Sequence, residues 1–351
     1  MMKRLLYRPF FIKLFNWEYW PFSVVYAPIY FYWIWLCLRA KSFFFFNTAN
    51  PSIKNGGFLM ESKKEIYDII PPAYYPKTLF FKAGTPFSTI VQQLAGQGFT
   101  YPLIAKPDIG MRGLSVKKME NVDDLLQYAA ASDVDYLVQQ FVAFDKEVGI
   151  FYYRYPGEAR GHISGIVEKE FLTVTGDGRS SIEELLKRDK RFVLQLPVLK
   201  ASFKSLMTEV PAAGEEKLLV PYGNHARGAK FINISHLADE ELTNTMDAIC
   251  RQVPGFYYGR LDIKYSNWQQ LKQGENFSII ELNGAGSEPT HMYDPRQSIF
   301  FAWKEIIRHW NILFRISLLN HRQKKLPYMR FSSGIQMFRD NSAYVSKISN
   351  S

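Results

Sequence analysis

Residues 259–286 read GRLDIKYSNWQQLKQGENFSIIELNGAG. Two runs of alternating side chains flank a polar segment, and that pattern predicts a β-hairpin. Period two sets Arg260, Asp262 and Lys264 on one face of the first strand, with Leu261, Ile263 and Tyr265 on the other. In the second strand Glu281 and Asn283 share a face, opposite Ile280 and Leu282. If the strands pair, Asp262, Glu281 and Asn283 point the same way, beside Arg260. Two carboxylates and an amide oxygen repel one another unless a cation lies among them. Such hard oxygen donors suit Mg²⁺ or Mn²⁺, together with phosphate oxygens and water. The alternative is a solvated face of paired charges.

A chain of 351 residues allows one large or two modest domains. With 47% hydrophobic and 16% aromatic residues it is no disordered protein. The formal charge of +10 calls for an anionic partner: a phosphoryl ligand, anionic lipid or nucleic acid. Nucleic acid is disfavoured, because the basic residues lie among membrane-type aromatics and no recognition module is found. Cys37 and Cys250 supply neither a disulfide framework nor a zinc site, so a reducing compartment fits best.

Residues 1–16 are basic and aromatic, with Lys3, Arg4, Arg8 and Lys13 and no acidic residue. From Tyr19 to Leu38 no residue is charged, and Glu18 and Arg39 bound the run. That length is close to the roughly 20 residues a bilayer span needs, and its Trp and Tyr content suits an interfacial belt. No small-residue cleavage pattern accompanies it, so the segment is expected to be retained. Pro21 and Pro28 interrupt the run, Phe43 to Phe46 follow it, and basic residues flank both ends. Those features point to a bent re-entrant segment or a monotopic one in the interface, with a single span left open. A buried core helix is the competing reading.

Downstream, Asn47 to Gly57 reads as a turn-rich linker and Ser62-x-x-Glu65 as a capping box before Pro71 and Pro72. Strands are expected at 77–82, 99–106, 114–119, 136–142, 146–154 and 162–175. Helices are expected after Thr85-Pro86, after Asn121, after Ser180-x-x-Glu183, over 237–253 and over 297–320. Pro107 to Gly113 forms a glycine-bearing turn whose backbone N–H groups at Gly110 and Gly113 can approach phosphate oxygens, with Lys106 and Arg112 adding charge. Residues 223–229 form a second glycine-flanked loop holding Asn224, His225 and Arg227. Residues 197–218 read as irregular and 331–351 as a weakly ordered tail. The expected organisation is a membrane-associated segment and linker over 1–57, a short adaptor over 58–100, a catalytic domain over 101–294, a basic amphipathic helix over 295–330 and the tail.

Read in order from about Lys77 to Asp294, these pieces resemble the ATP-grasp superfamily, in particular its D-alanine–D-alanine ligase-like and cyanophycin-synthetase-like carboxylate–amine ligases. Arg260-x-Asp262 followed by Glu281-x-Asn283 matches the order and spacing of that family's catalytic and metal residues. Tyr101-Pro-Leu-Ile-Ala-Lys106-Pro107 and the glycine turn look like its nucleotide-binding lysine and phosphate-covering loop. Val138-Gln-Gln-Phe-Val142 with Glu147 looks like its adenine hinge and ribose-binding acid. Val174-x-Gly176-Asp177-Gly178, with Glu184-Leu-Leu186 after it, is like a stretch of the cyanophycin synthetases.

The resemblance implies an α+β fold in which two α/β subdomains clamp ATP between antiparallel sheets. Metal would be held by Asp262, Glu281 and Asn283, and ATP by Lys82, Lys106, Gly110, Arg112, Gly113, Gln139, Gln140, Phe141, Val142 and Glu147. Arg260, Arg227 and Lys169 would be catalytic, while Asn224, His225, Glu288 and His291 would face the carboxylate and amine substrates. The implied activity is an ATP-dependent carbon–nitrogen ligase passing through an acyl phosphate. The apolar segment adds a lipid-linked or amphiphilic substrate, membrane lipid as a partner, and a cytoplasmic catalytic face on a bacterial inner membrane. The alternatives are a phosphotransferase on a hydroxyl acceptor and a non-catalytic nucleotide-binding adaptor. The chain departs from the family in lacking its N-terminal substrate domain, and in carrying Gly284-Ala-Gly-Ser-Glu288-Pro289 where a Pro-Gly turn is usual.

Overall fold

The computed structural model describes residues 9–110, 113–202, 204–220 and 229–350. It is a mixed helix and antiparallel-sheet protein, α+β in class. Its strands run in chain order as β1 (Thr78–Phe81), β2 (Leu103–Pro107), β3 (Lys117–Met119), β4 (Tyr136–Gln140), β5 (Lys146–Tyr153), β6 (His162–Glu170), β7 (Leu172–Thr175), β8 (Glu216–Val220), β9 (Lys230–Asn233), β10 (Tyr258–Tyr265) and β11 (Phe277–Asn283). The chain divides into two compact units. One comprises Met1–Tyr30, Val167–Ile234 and Thr290–Glu305, and the other Phe31–Ile166, Ser235–Pro289 and Ile306–Ser351.

In the larger unit one sheet has the order β1-β4-β2-β3, antiparallel throughout. Helices Phe87–Gly96 and Val122–Ala131 pack on it, burying Ile90, Leu94, Leu125 and Tyr128 against Leu103, Ala105, Tyr136 and Val138. Asn121 opens the second helix as expected, its side chain accepting from the N–H groups of Asp123 and Asp124. In the second sheet of this unit β10 lies between β11 and β5. The register sets Arg260 opposite Asn283 and Asp262 opposite Glu281. The hairpin connection is more than a turn. It holds helix Trp268–Gln273, capped by Asn267 and closed by Gly274 in the left-handed region.

One apolar cluster of this unit is largely aromatic. Leu36, Cys37, Phe44, Phe45 and Phe46 pack with Phe151, Tyr258, Ile312, Leu313 and Phe314. The Asn47–Gly57 stretch is therefore no free linker. Asn50, fully buried, donates to Gly56 O (2.9 Å) and Tyr258 O (2.8 Å) and accepts from Tyr257 N (2.9 Å) and Tyr258 N (3.0 Å). Beside it the backbones of Gly56-Gly57 and Gly284-Gly286 meet, with Ala285 N donating to Gly56 O and Gly286 N to Gly57 O. A Cβ on Gly57 would lie 2.6 Å from the Cα of Gly284, so only glycine permits that approach.

The smaller unit pairs the end of β6, Val167 to Glu170, with β9, and pairs β7 with β8. Leu172, Val174, Ile182, Leu186, Met207 and Leu219 form its core. Near its N-terminal end Glu18 and Arg191 form a buried ion pair at 3.0 Å.

Several expected boundaries shift. The single strand expected over 162–175 is two, β6 and β7, in different sheets. The helix cap is Pro86 rather than Thr85, whose hydroxyl donates to Lys82 O. The capping box is Ser181–Glu184, because Ser180 is taken by Asp177. The stretch 197–218, expected to be irregular, carries part of helix Leu196–Ser202 and enters β8. The expected weakly ordered tail is a 20-residue helix, Phe331–Asn350.

The apolar N-terminal run forms helix Phe22–Tyr26, a 3-10 turn at Ala27–Ile29 containing Pro28, and helix Tyr30–Ala40. Among the described residues, Phe22–Ala40 is the one helical stretch long and apolar enough to cross a membrane by length and composition, with mean hydropathy 1.2.

Candidate functional site

The site grows from an irregularity the alternation pattern does not reveal. Asp262 pairs with Glu281, but Ile263 pairs with Ile279, so Ile280 is the extra residue of a β-bulge. The Ile280 carbonyl accepts hydrogen bonds from the Tyr67 hydroxyl (2.6 Å) and from Lys106 Nζ (3.2 Å). Lys106 comes from β2 of the other sheet and is 7% exposed. It also donates to Tyr67 Oη (2.9 Å) and Gln139 Oε1 (3.0 Å). Burial pushes the Lys106 ammonium down to about 8, against the pull of Glu281.

Helix Lys63–Ile69 supplies the second lysine. Ser62 caps it by accepting from Glu65 N, and its first turn is tied to the end of β2 by Lys64 N donating to Asp108 Oδ1 (2.8 Å). Lys63 Nζ donates to Asp108 O (3.3 Å) and Gly110 O (3.0 Å), at the start of the glycine turn. Burial lowers its pKa, and Glu281 opposes the shift. Glu61, Lys63, Ile66, Tyr67, Gly110, Glu281, Leu282 and Asn283 line one cleft of about 320 Å³, a volume that includes solvent at its mouth. Burial raises the Glu61 carboxyl, while Lys63 draws it back.

Opposite residues of an antiparallel pair have Cβ atoms about 4.5–5.5 Å apart, which brings Asp262 and Glu281 onto one face. Asp262 is 3% exposed, and both of its oxygens face Arg260, which donates from Nε to Oδ1 (2.7 Å) and from Nη2 to Oδ2 (3.1 Å). Arg260 also donates to Glu288 O (3.3 Å). The paired register thus sets Asp262 opposite Glu281 and Arg260 opposite Asn283, with the Asp262 carboxylate held by Arg260. Among the described residues no group of three or more His, Cys, Asp and Glu is arranged to hold a metal ion. The donor chemistry still fits a hard cation. The Glu281 carboxylate makes no hydrogen bond or ion pair with another described residue, and the Asp262 carboxylate lies opposite it on the paired strand. Glu61 Oε2 and Asn283 Nδ2 are buried without hydrogen-bond partners among the described residues.

One strand further, Glu147 on β5 lies opposite Lys264 and is 5% exposed. Lys264 Nζ donates to Phe144 O (3.1 Å) and lies 5.3 Å from the Phe141 ring centroid, with Lys118 Nζ at 4.8 Å from the same ring. Phe141 and Val142 thus follow β4 next to two cations, and Val142 O accepts from Lys264 at 3.5 Å.

Lys106, Gly110, Gln139, Glu147, Arg260, Asp262, Glu281, Asn283 and Glu288 all belong to the larger unit. Lys82 also does, but it is exposed beyond the end of β1 and is not part of the cleft lining. Gln140 turns elsewhere: its side chain donates to Thr100 O (2.8 Å) and accepts from Thr100 N (3.2 Å). Gly113 sits at φ 69° in the turn before β3. Lys169 and His291 belong to the smaller unit, both buried, and His291 Nε2 lies 2.9 Å from Glu305 Oε2. Arg112, Asn224, His225 and Arg227 lie outside the described residues. Sequence reading missed Glu61, Lys63 and Tyr67. The Ser62 cap was the available signal, since it fixes which residues open the helix.

No protein-family model and no curated protein sequence matches the chain. Among solved structures it is similar to a bifunctional glutathione synthetase from Pasteurella multocida, with TM-score 0.38 and 16% identity over 69% of this chain and 34% of that one. It is similar to the VanG D-Ala:D-Ser ligase from Enterococcus faecalis at TM-score 0.40 and 14% identity, over 72% and 61% of the two chains. A D-alanine–D-alanine ligase from Bacillus anthracis aligns at TM-score 0.41 and 13% identity, over 75% and 68%. The chain spans about a third of the first of these proteins and about three-fifths of the second.

Proposed function

We propose that the protein is an ATP- and Mg²⁺-dependent ligase of the ATP-grasp kind, which activates a carboxylate as an acyl phosphate and joins it to an amine. One observation carries this reading: Asp262 and Glu281 stand opposite each other on paired strands, while buried Lys106 reaches the bulge at Ile280, next to Glu281, from a second sheet. Two lysines of lowered pKa beside an unpaired carboxylate suit a site that exchanges internal contacts for phosphate oxygens.

In this reading Lys106 and Lys63 bind phosphate oxygens, and the backbone around Gly110 covers them and excludes water. Glu281, Asn283 and Asp262 would hold the divalent cation, which neutralises charge on the transferred phosphoryl group when bound. Arg260, oriented by Asp262, stabilises the developing oxyanion, a role worth about 3 kcal/mol per donor. Phe141, Val142 and Glu147 would form the nucleoside end. The substrate is taken to be amphiphilic or lipid-linked and the protein membrane-associated with its site in the cytoplasm, on the strength of the apolar run before Leu38.

The test is ADP release from the full-length chain with membrane extract, Mg²⁺ and hydroxylamine, which traps an acyl phosphate as a hydroxamate. Glu281→Gln is expected to lower turnover at least about a hundredfold. Undiminished turnover in that variant would remove the cation site from the proposal. Phosphate kept on an acceptor instead of released would make the protein a phosphotransferase.

A further inference from the structure

Helix Tyr30–Ala40 is apolar on two sides. Leu36, Cys37 and Ala40 face the aromatic core, at 0%, 3% and 7% exposure. Phe31, Ile34, Trp35 and Leu38, spaced i, i+3, i+4, i+7, form an outward stripe at 80%, 47%, 45% and 68% exposure. The stripe continues beyond the helix. Phe43 is 56% exposed and meets the ring of Phe331, itself 59% exposed, at 5.7 Å. An apolar stripe of this kind on the outside of a folded unit marks an interaction face.

Charge identifies its occupant. Residues 19–60, which supply the stripe, contain no Asp or Glu, and residues 306–330 contain none either. Arg39 lies over the Trp35 ring at 4.7 Å, Lys41 follows just past the helix end, and Arg330 precedes Phe331; all three are exposed. An apolar face holding exposed Trp and bordered by Arg39, Lys41 and Arg330 matches the surface of an anionic bilayer. A second copy of the chain would bring the same cations together. A helix with one side fixed in a protein core cannot be surrounded by lipid, so the segment lies in the membrane plane instead of spanning it.

We infer that Phe31, Ile34, Trp35, Leu38, Phe43 and Phe331 form an in-plane docking surface for anionic phospholipid membranes, with Arg39, Lys41 and Arg330 reading the headgroup charge. This deepens the membrane-associated reading above, and its failure would leave the ATP chemistry untouched.

The test is flotation of the full-length chain with vesicles of phosphatidylglycerol and phosphatidylcholine, against phosphatidylcholine alone. Binding to the anionic vesicles is expected, with partitioning falling about fivefold for each of Arg39→Gln and Lys41→Gln. The combined variant Phe31→Gln, Ile34→Gln, Leu38→Gln is expected to lose at least about a hundredfold in partitioning while unfolding in urea like the parent, because those side chains are exposed. Bromine on the shallow acyl carbons should quench Trp35 fluorescence more than bromine near the chain ends. Three results overturn the inference: no preference for anionic vesicles, unchanged partitioning of the triple variant, or a stripe-dependent dimer that ignores vesicles.

Discussion

Replacing Lys106 by Met tests the buried ammonium at the junction of the two sheets. Lys106 is 7% exposed, and burial lowers its pKa from 10.5 to about 8 in the folded protein. A group whose folded pKa is depressed contributes stability above its unfolded pKa and loses it as pH falls through the folded value. For this lysine the native state therefore binds fewer protons than the unfolded chain between about pH 8 and 10.5, and stability rises with pH across that window. The full shift corresponds to about 3 kcal/mol, of which about 2 kcal/mol develops between pH 7 and pH 9.5. Groups that do not interact with Lys106 titrate alike in both proteins and cancel in the difference, whereas Lys63, which Lys106 helps to depress, shifts back up in the variant and adds to the difference. Urea unfolding of parent and Lys106→Met at the two pH values is the assay. The variant also removes the bonds to Tyr67, Gln139 and Ile280, which offsets part of any gain but does not depend on pH. Subtracting the variant's pH dependence from the parent's should leave about 2 kcal/mol. A difference within about 0.5 kcal/mol of zero would refute the placement of a desolvated ammonium here.

Further outcomes follow from the same contacts. Asn50→Ala removes four hydrogen bonds from buried backbone groups and should destabilise the fold by about 3–5 kcal/mol, read from the urea midpoint. Gly57→Ala drives a Cβ into the Gly284 backbone at a positive φ of 76°, so a loss of about 3 kcal/mol or more is expected, with weakened nucleotide binding through the adjacent Asn283. Gly334→Ala sets a Cβ within 2.4 Å of ring atoms of Phe44, which is 6% exposed, and should cost about 1–2 kcal/mol in thermal unfolding despite alanine's better helix propensity. No loss in the last case would mean that the helix carrying Gly334 does not pack on Phe44.

Period-two alternation made the Asp262–Glu281 face legible, because the pleat leaves little choice once two such strands pair. The bulge at Ile280 was not legible, since one extra apolar residue does not disturb a short alternating run, yet it delivers the carbonyl that Lys106 and Tyr67 share. Sequence reading singles out Lys82 and passes over Lys63, although each is a lysine beside a predicted element. Only the long-range tie of Asp108 to the N–H of Lys64 separates them, and a contact across 44 residues leaves no local trace. Asn50 read as a turn residue for the same reason: its partners lie six and about two hundred residues away. The membrane-type composition was plain before Leu38, whereas the split between a buried and an exposed apolar side required the core to be seen.

Helix Phe331–Asn350 explains why a stretch read as a tail matters to the site. Its serines, asparagines and Gly334 give weak helix propensity, so packing must supply its stability. That packing lies at both ends. Near the start, Phe331 and Phe338 meet Phe44 at 5.8 and 6.2 Å, and Phe338 meets Phe58 at 6.1 Å. Near the other end Ile348 is 2% exposed, and its Cδ1 lies 3.9 Å from where a Cβ on Gly110 would stand. A helix of 20 residues is about 30 Å long, so one element runs from the outward aromatic surface to the first glycine of the turn that Lys63 holds. If propensity alone cannot hold either end helical, loosening the aromatic end is expected to lower the helicity at the glycine end, which hydrogen exchange at residues 344–348 in Gly334→Ala would read; unchanged exchange there would show the two ends to be independent.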